Sequence, residues 1–187
     1  MFKRIHYNSP VILTYTFISL IALILGYITD MASTRLLFSV YRGNLTDILF
    51  YIRLFGHVLG HASWEHFVSN FLIILLVGPM LEVKYGSKNM IEMIVITAFV
   101  TGALNIIFFD TALLGASGIA FMLIILSSFV NIKKGSIPLT FILVALLYIG
   151  REVASGLLSN DNISQFTHIA GGVCGAVFGF TLKQIKG

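Results

Sequence analysis

Eighteen consecutive residues, Val11–Ile28, carry no charge. A run of that length is what a helix needs to cross the hydrocarbon core of a bilayer, about 20 mostly apolar residues. It exceeds the roughly 7–15 apolar residues of a removable secretion signal, and no small-x-small cleavage site directly follows it. The run therefore reads as a retained first span. Charged residues cut the rest of the chain into further apolar blocks: Phe67–Leu81, Met93–Phe109, Thr111–Ile132, Gly135–Gly150 and Asn162–Leu182. Lipid offers no hydrogen bonds to a backbone, so each block must satisfy its own peptide groups as a helix. Where a block is short, interfacial Trp64, Tyr85 and Tyr148 and snorkelling lysines extend it.

The expected fold is an all-α polytopic membrane protein, one domain over 1–187, with six transmembrane helices at about 11–29, 64–83, 90–109, 116–132, 136–153 and 163–183. Composition agrees. Hydrophobic residues make up 57% of the 187 and charged residues 11%, against about a quarter charged in soluble domains. That excludes a soluble domain, a disordered chain and a nucleic-acid binder. The net charge of +4 then reads as an orienting signal rather than a polyanion site. With six spans, Lys3, Arg4, Lys84, Lys88, Lys133, Lys134, Lys183 and Lys186 share one side, and Arg35, Arg42, Arg53 and Arg151 the other. The positive-inside rule puts both termini in the cytoplasm, and the expected location is the plasma membrane. Cys174 is the only cysteine, so no intramolecular disulfide forms.

Between Asp30 and Ser63 two apolar stripes recur at helical spacing: Leu36, Leu37, Val40 and Tyr41, then Leu45, Ile48, Leu49 and Ile52. They predict short amphipathic helices lying in the outer interface.

Polar residues inside spans are the informative positions, because they cost free energy unless they face a partner or a wet cavity. His66 and Asn70 lie one turn apart behind Ser63, a candidate N-cap. Taken alone they read as polar residues bonding neighbouring helices. In Gly115-Ala116-Ser117-Gly118 the glycines either pack a continuous helix or mark a loop ahead of a helix that starts near Ser117. In the second case the serine sits at a helix N-terminus, where free N–H groups and the dipole favour an oxyanion. Ile119 stands where a hydrolase nucleophile elbow needs glycine. In the last block His168, Gly171, Gly175 and Gly179 share a face. Glycines let two helix backbones approach closely, which a short bond from His168 to a neighbouring serine would require.

Four signatures in order, over roughly Arg53 to Leu182, resemble the rhomboid intramembrane serine proteases. They are His61-x4-His66-x3-Asn70, Glu82-x3-Gly86-Ser87, Gly115-Ala116-Ser117-Gly118 and His168-x2-Gly171-x3-Gly175, with Arg53 in the long first loop. The resemblance implies a rhomboid-like bundle and a Ser–His dyad in place of a triad. Ser117 would be the nucleophile, His168 the general base, and His66 and Asn70 the oxyanion donors. Gly115, Gly118, Gly171 and Gly175 would serve helix packing. The implied substrates are transmembrane proteins cut in or near their spans, in a lipid bilayer, with no metal, nucleic acid or other cofactor. The oligomeric state is open. Two positions depart from the family: Phe121 replaces a common tyrosine, leaving ring stacking on the histidine without the hydroxyl, and Ile52 replaces the tryptophan before the loop arginine.

Three other readings remain. A rhomboid-like pseudoprotease would bind transmembrane helices without cutting, but its usual mark is loss of the serine or histidine. His57, His61 and His66 are spaced closely enough for a metal site, though without HExxH, and His57 and His61 read as interfacial histidines. A small transporter would need buried charges and paired broken helices.

Overall fold

The computed structural model describes residues 7–130 and 162–185, with 137, 139, 140, 142, 143, 146 and 147 between them, and gives 162–164 as backbone only. The α-helices whose full extent falls among the described residues are α1 Pro10–Ile28, α2 Ala32–Leu37, α3 Ile48–Gly56, α4 Trp64–Tyr85, α5 Ser87–Phe108, α6 Ser117–Ser127 and α7 Asn162–Thr181. The expected fifth span, 136–153, lies outside the described residues apart from those seven, six of which are helical. Helices α1, α4 and α5 are each long and apolar enough to cross a membrane. The 22 residues of α4 reach about 33 Å at 1.5 Å per residue.

Helix α6 is the centre of the bundle. It is apolar all round, with Gly118 to Leu123, Ile125 and Leu126 buried, the mark of an interior helix. It packs most closely on α7 and next on α4, while α1 lies on α4, and α5 on α3 and α7. The surrounding helices show the opposite pattern. Their outer faces present Ile21, Ile28, Leu72, Leu76, Ile107, Val173 and Val177, while Ser19, Thr97, Thr101 and Asn105 point inward. Apolar outside and polar inside is a surface built for lipid rather than water.

The glycines of α7 set how close it comes to α6. A Cβ placed on Gly171 would lie 2.1 Å from the Gly118 carbonyl oxygen, and one on Gly175 2.3 Å from that of Met122. Each contact is to backbone, so no rotamer change relieves it. At the opposite end of the fold, buried Glu82 caps α1, accepting from the Val11 and Ile12 N–H groups at 3.0 and 3.1 Å and from the Ser87 hydroxyl at 2.7 Å. A carboxylate at a helix N-terminus satisfies otherwise unpaired donors and the dipole together.

The first loop departs in part from its stripes. Helix α3 forms, with Ile48, Tyr51, Ile52 and Phe55 exposed and Phe50, Arg53 and Leu54 buried. Its N-cap is Asp47, which accepts from Leu49 N–H at 2.9 Å and pairs with buried Arg53 at 3.2 Å. Leu45 precedes the helix, and Val40 and Tyr41 fall beyond the end of α2. Val40 instead pairs with Leu113 in an antiparallel bridge, each N–H donating to the other's carbonyl at 2.9 Å. A long-range partner for Val40's backbone has outweighed the local helical stripe. Arg42 extends the tie, donating to the Ile106 and Ile107 carbonyls at 2.6 and 2.8 Å and pairing with Asp110. The first loop is thereby stitched to the segment that leads into α6.

Candidate active site

Helix α6 starts at Ser117, so Gly115 belongs to a loop and Gly118 to the first turn of the helix. Gly115 has φ +127°, and a Cβ there would lie 2.7 Å from the His66 ring. Only glycine fits the backbone and leaves the imidazole in place. Ala116 holds the N-cap position and Ser117 is the first helical residue, where the leading N–H groups have no intrahelical acceptor.

His66 and Asn70 come from the start of α4, whose N-cap is Ser63, accepting from the His66 N–H at 3.1 Å. His168 comes from α7, brought close by the glycine seam. Its ring centroid lies 4.2 Å from that of Phe121, one turn beyond Ser117 on α6, with the planes 39° apart. These side chains line one space. A cavity of about 310 Å³ is lined by Ser117, His168, Phe121, His66 and Asn70, with Ser69, Ile73, Leu113 and Leu114 completing it. Asn70 is 7% exposed, and its Nδ2 is buried without a hydrogen-bond partner. An unpaired buried donor costs about 1–3 kcal/mol, and this one borders the cavity. A larger space of about 480 Å³ lies between α1 and α5, but its walls are almost wholly apolar, around Val11, Ile18 and Val95. Volume does not select the chemistry here; convergent polar groups do.

The packing glycines behave as a seam. Gly118, Gly171 and Gly175 sit at the α6–α7 contact, whereas Gly115 serves the turn and the His66 ring. The interfacial placement of His57 and His61 needs correction. They are 1% and 0% exposed, because the segment after α3 folds inward beneath the loop that leads to Ser117. His57 bonds the Leu54 carbonyl at 3.1 Å and the Thr101 hydroxyl at 3.2 Å. His61 bonds the Leu59 carbonyl at 3.2 Å and the Ala116 N–H at 3.3 Å. With both nitrogens of each ring engaged by protein, neither offers a free lone pair to a metal. Burial pushes each imidazole well below its ordinary value, to about 4, so both are neutral near pH 7. Their spacing was visible in the sequence, but nothing local told that the segment turns inward.

Among known families, the Rhomboid domain model matches residues 50–185. The chain belongs to the rhomboid family. No curated protein matches it. The family assignment and the three membrane-length helices together make it an integral membrane protein. Members of the rhomboid family are in general intramembrane serine proteases. Of the signature residues, His66, Asn70, Ser117 and His168 line the cavity, Gly118, Gly171 and Gly175 form the seam beside it, and Glu82 and Ser87 belong to the cap on α1.

Proposed function

We propose that this rhomboid protein is an intramembrane serine endopeptidase that cuts membrane proteins in or near their transmembrane segments. The observation carrying the reading is that Ser117 and His168, from two different helices, line one polar cavity beside the unpaired amide of Asn70. The proposal includes a single domain of six spans, with both termini cytoplasmic in the plasma membrane. The inner placement of every lysine supports that orientation.

In the proposed reaction Ser117 Oγ attacks the scissile carbonyl carbon and its proton passes to His168. The carbonyl electron pair moves onto oxygen. That oxyanion takes hydrogen bonds from Asn70 Nδ2, the His66 ring and the free N–H groups at the start of α6. Collapse breaks the C–N bond as His168 returns the proton to the departing amine. A water then attacks the acyl ester, with His168 again as base, and the ester C–O bond breaks to restore Ser117. The proposed reaction uses a dyad: among the described residues lining the cavity none is a carboxylate, and Phe121 supplies packing that orients the imidazole. A substrate peptide bond inside a helix is shielded by its own hydrogen bonds. Substrates are therefore expected to carry Gly or Pro near the cut, where unwinding costs least.

The test is cleavage of a transmembrane reporter in detergent by wild type beside Ser117→Ala, together with labelling by a fluorophosphonate. Wild type should cut and be labelled, and the alanine variant should do neither. Continued cleavage by Ser117→Ala overturns the nucleophile assignment. A folded wild type that is neither labelled nor active makes the protein a transmembrane-helix binder instead.

A further inference from the structure

The reaction above uses His66 and His168, both half-buried, and leaves two fully buried imidazoles, His57 and His61, without a part. His61 sits between the short 3-10 turn His57–Leu59 and the N-cap of α4, and its whole surface is covered. Phe67 and Phe71 pack on its ring at centroid separations of 5.3 and 5.6 Å. Its two nitrogens have partners of opposite kind. The Leu59 carbonyl can only accept, so Nδ1 carries the proton; the Ala116 amide can only donate, so Nε2 is bare. The partners thus select one neutral tautomer. A ring held by aromatic walls on one side and by two directional bonds on the other has a single orientation.

That orientation bears on the residues around Ser117. Ala116 is the N-cap residue of α6, directly before the serine. Its N–H ends on His61, while the preceding N–H, of Gly115, ends on the His57 carbonyl at 2.9 Å. Two consecutive amides of the turn are therefore hung from the same short segment, 57–61. The His61 ring also lies edge-on to that of His66, centroids 5.0 Å apart and planes 65° apart. One buried side chain touches both the turn that presents the serine and the His66 ring, which lines the same cavity.

We propose that His61 is a positioning residue. By accepting the Ala116 N–H it fixes the backbone that presents Ser117, and by its ring contact it holds His66 towards the same cavity. It touches no substrate and acts through those two residues. The inference rests on the reading of Ser117 as nucleophile. A misplacement of about 1 Å in a reacting group is enough to slow catalysis about a hundredfold, so loss of His61 should be read mainly in kcat.

The experiment compares wild type, His61→Leu and His61→Gln, with Ser117→Ala alongside, for cleavage of a transmembrane reporter and for Tm. Glutamine can place its amide oxygen near the position of Nε2 and keep an acceptor for Ala116; leucine fills space without one. The expected result for His61→Leu is a fall in kcat of about 10–100-fold with KM within about twofold of wild type. His61→Gln should regain at least about tenfold of that loss. If the leucine variant does not fold, His61→Asn takes its place, since the shorter amide cannot reach Ala116, and glutamine should still exceed it by a similar factor. Wild-type kcat in the variant lacking the acceptor, or equal kcat in the variants with and without it, overturns the positioning role while Ser117→Ala remains inactive. If instead Ser117→Ala cleaves like wild type, the reading of the nucleophile has failed, and the positioning role falls with it.

Discussion

Gly171→Ala is the substitution whose consequence follows most directly from the packing of α6 against α7. The added methyl would stand 2.1 Å from the Gly118 carbonyl oxygen, 2.8 Å from its carbon and 2.9 Å from its Cα, where ordinary contact begins near 3.4 Å. The obstacle is backbone in the first turn of α6, so the helices must separate by about 1 Å for one methyl. Overpacking of this kind costs about 1–3 kcal/mol. In a chain of this size that lowers Tm by roughly 2–4 °C per kcal/mol. The catalytic effect should be larger, because the strain acts one residue from Ser117 and three from His168. A shift of about 1 Å between nucleophile and base predicts a loss of about 10²-fold in kcat. Reporter cleavage at saturating and limiting substrate, paired with a thermal melt in the same detergent, measures both. Gly171→Ala with wild-type kcat and unchanged Tm would refute the claim that glycine is needed there for close approach.

Further expectations follow from single contacts. Asn70→Ala removes a donor whose Nδ2 is unpaired in the structure, so kcat should fall by about 10²–10³ while Tm holds or rises; a drop confined to Tm would assign Asn70 to packing. Glu82→Ala strips the acceptor from two α1 amides and the Ser87 hydroxyl. Folding should lose about 1–3 kcal/mol, visible as a lower Tm, and an unchanged melt would contradict the capping role. His57 and His61 titrate near 4 in the folded protein because burial disfavours their charged forms, against about 6.5 when unfolded. Their folded values lie below the unfolded one, so the unfolded chain takes up protons first as pH falls. Stability is complete above about pH 6.5 and is lost progressively towards pH 4. Melts across that window should show the decline, and His61→Gln should flatten it; a pH-independent Tm between 6.5 and 4 would rule out neutral buried imidazoles.

Local properties of the chain were sufficient for much of this protein. Charge spacing set the helical blocks that α1, α4, α5, α6 and α7 occupy, because an uncharged run long enough to span lipid has only the helix available to it. Residue periodicity put His66 and Asn70 on one turn of α4 and His168 on the glycine face of α7, since those relations depend on helical spacing alone. The pairings across the chain were not legible in that way. Val40 leaves its expected helix for Leu113, and His61 reaches an amide 55 residues away. Which side of the first loop turns inward, how closely Gly171 meets Gly118, and whether five side chains from three helices enclose one cavity all depend on contacts between segments distant in sequence. Such contacts become favourable only after the helices have packed around α6, so no stretch of residues carries them by itself.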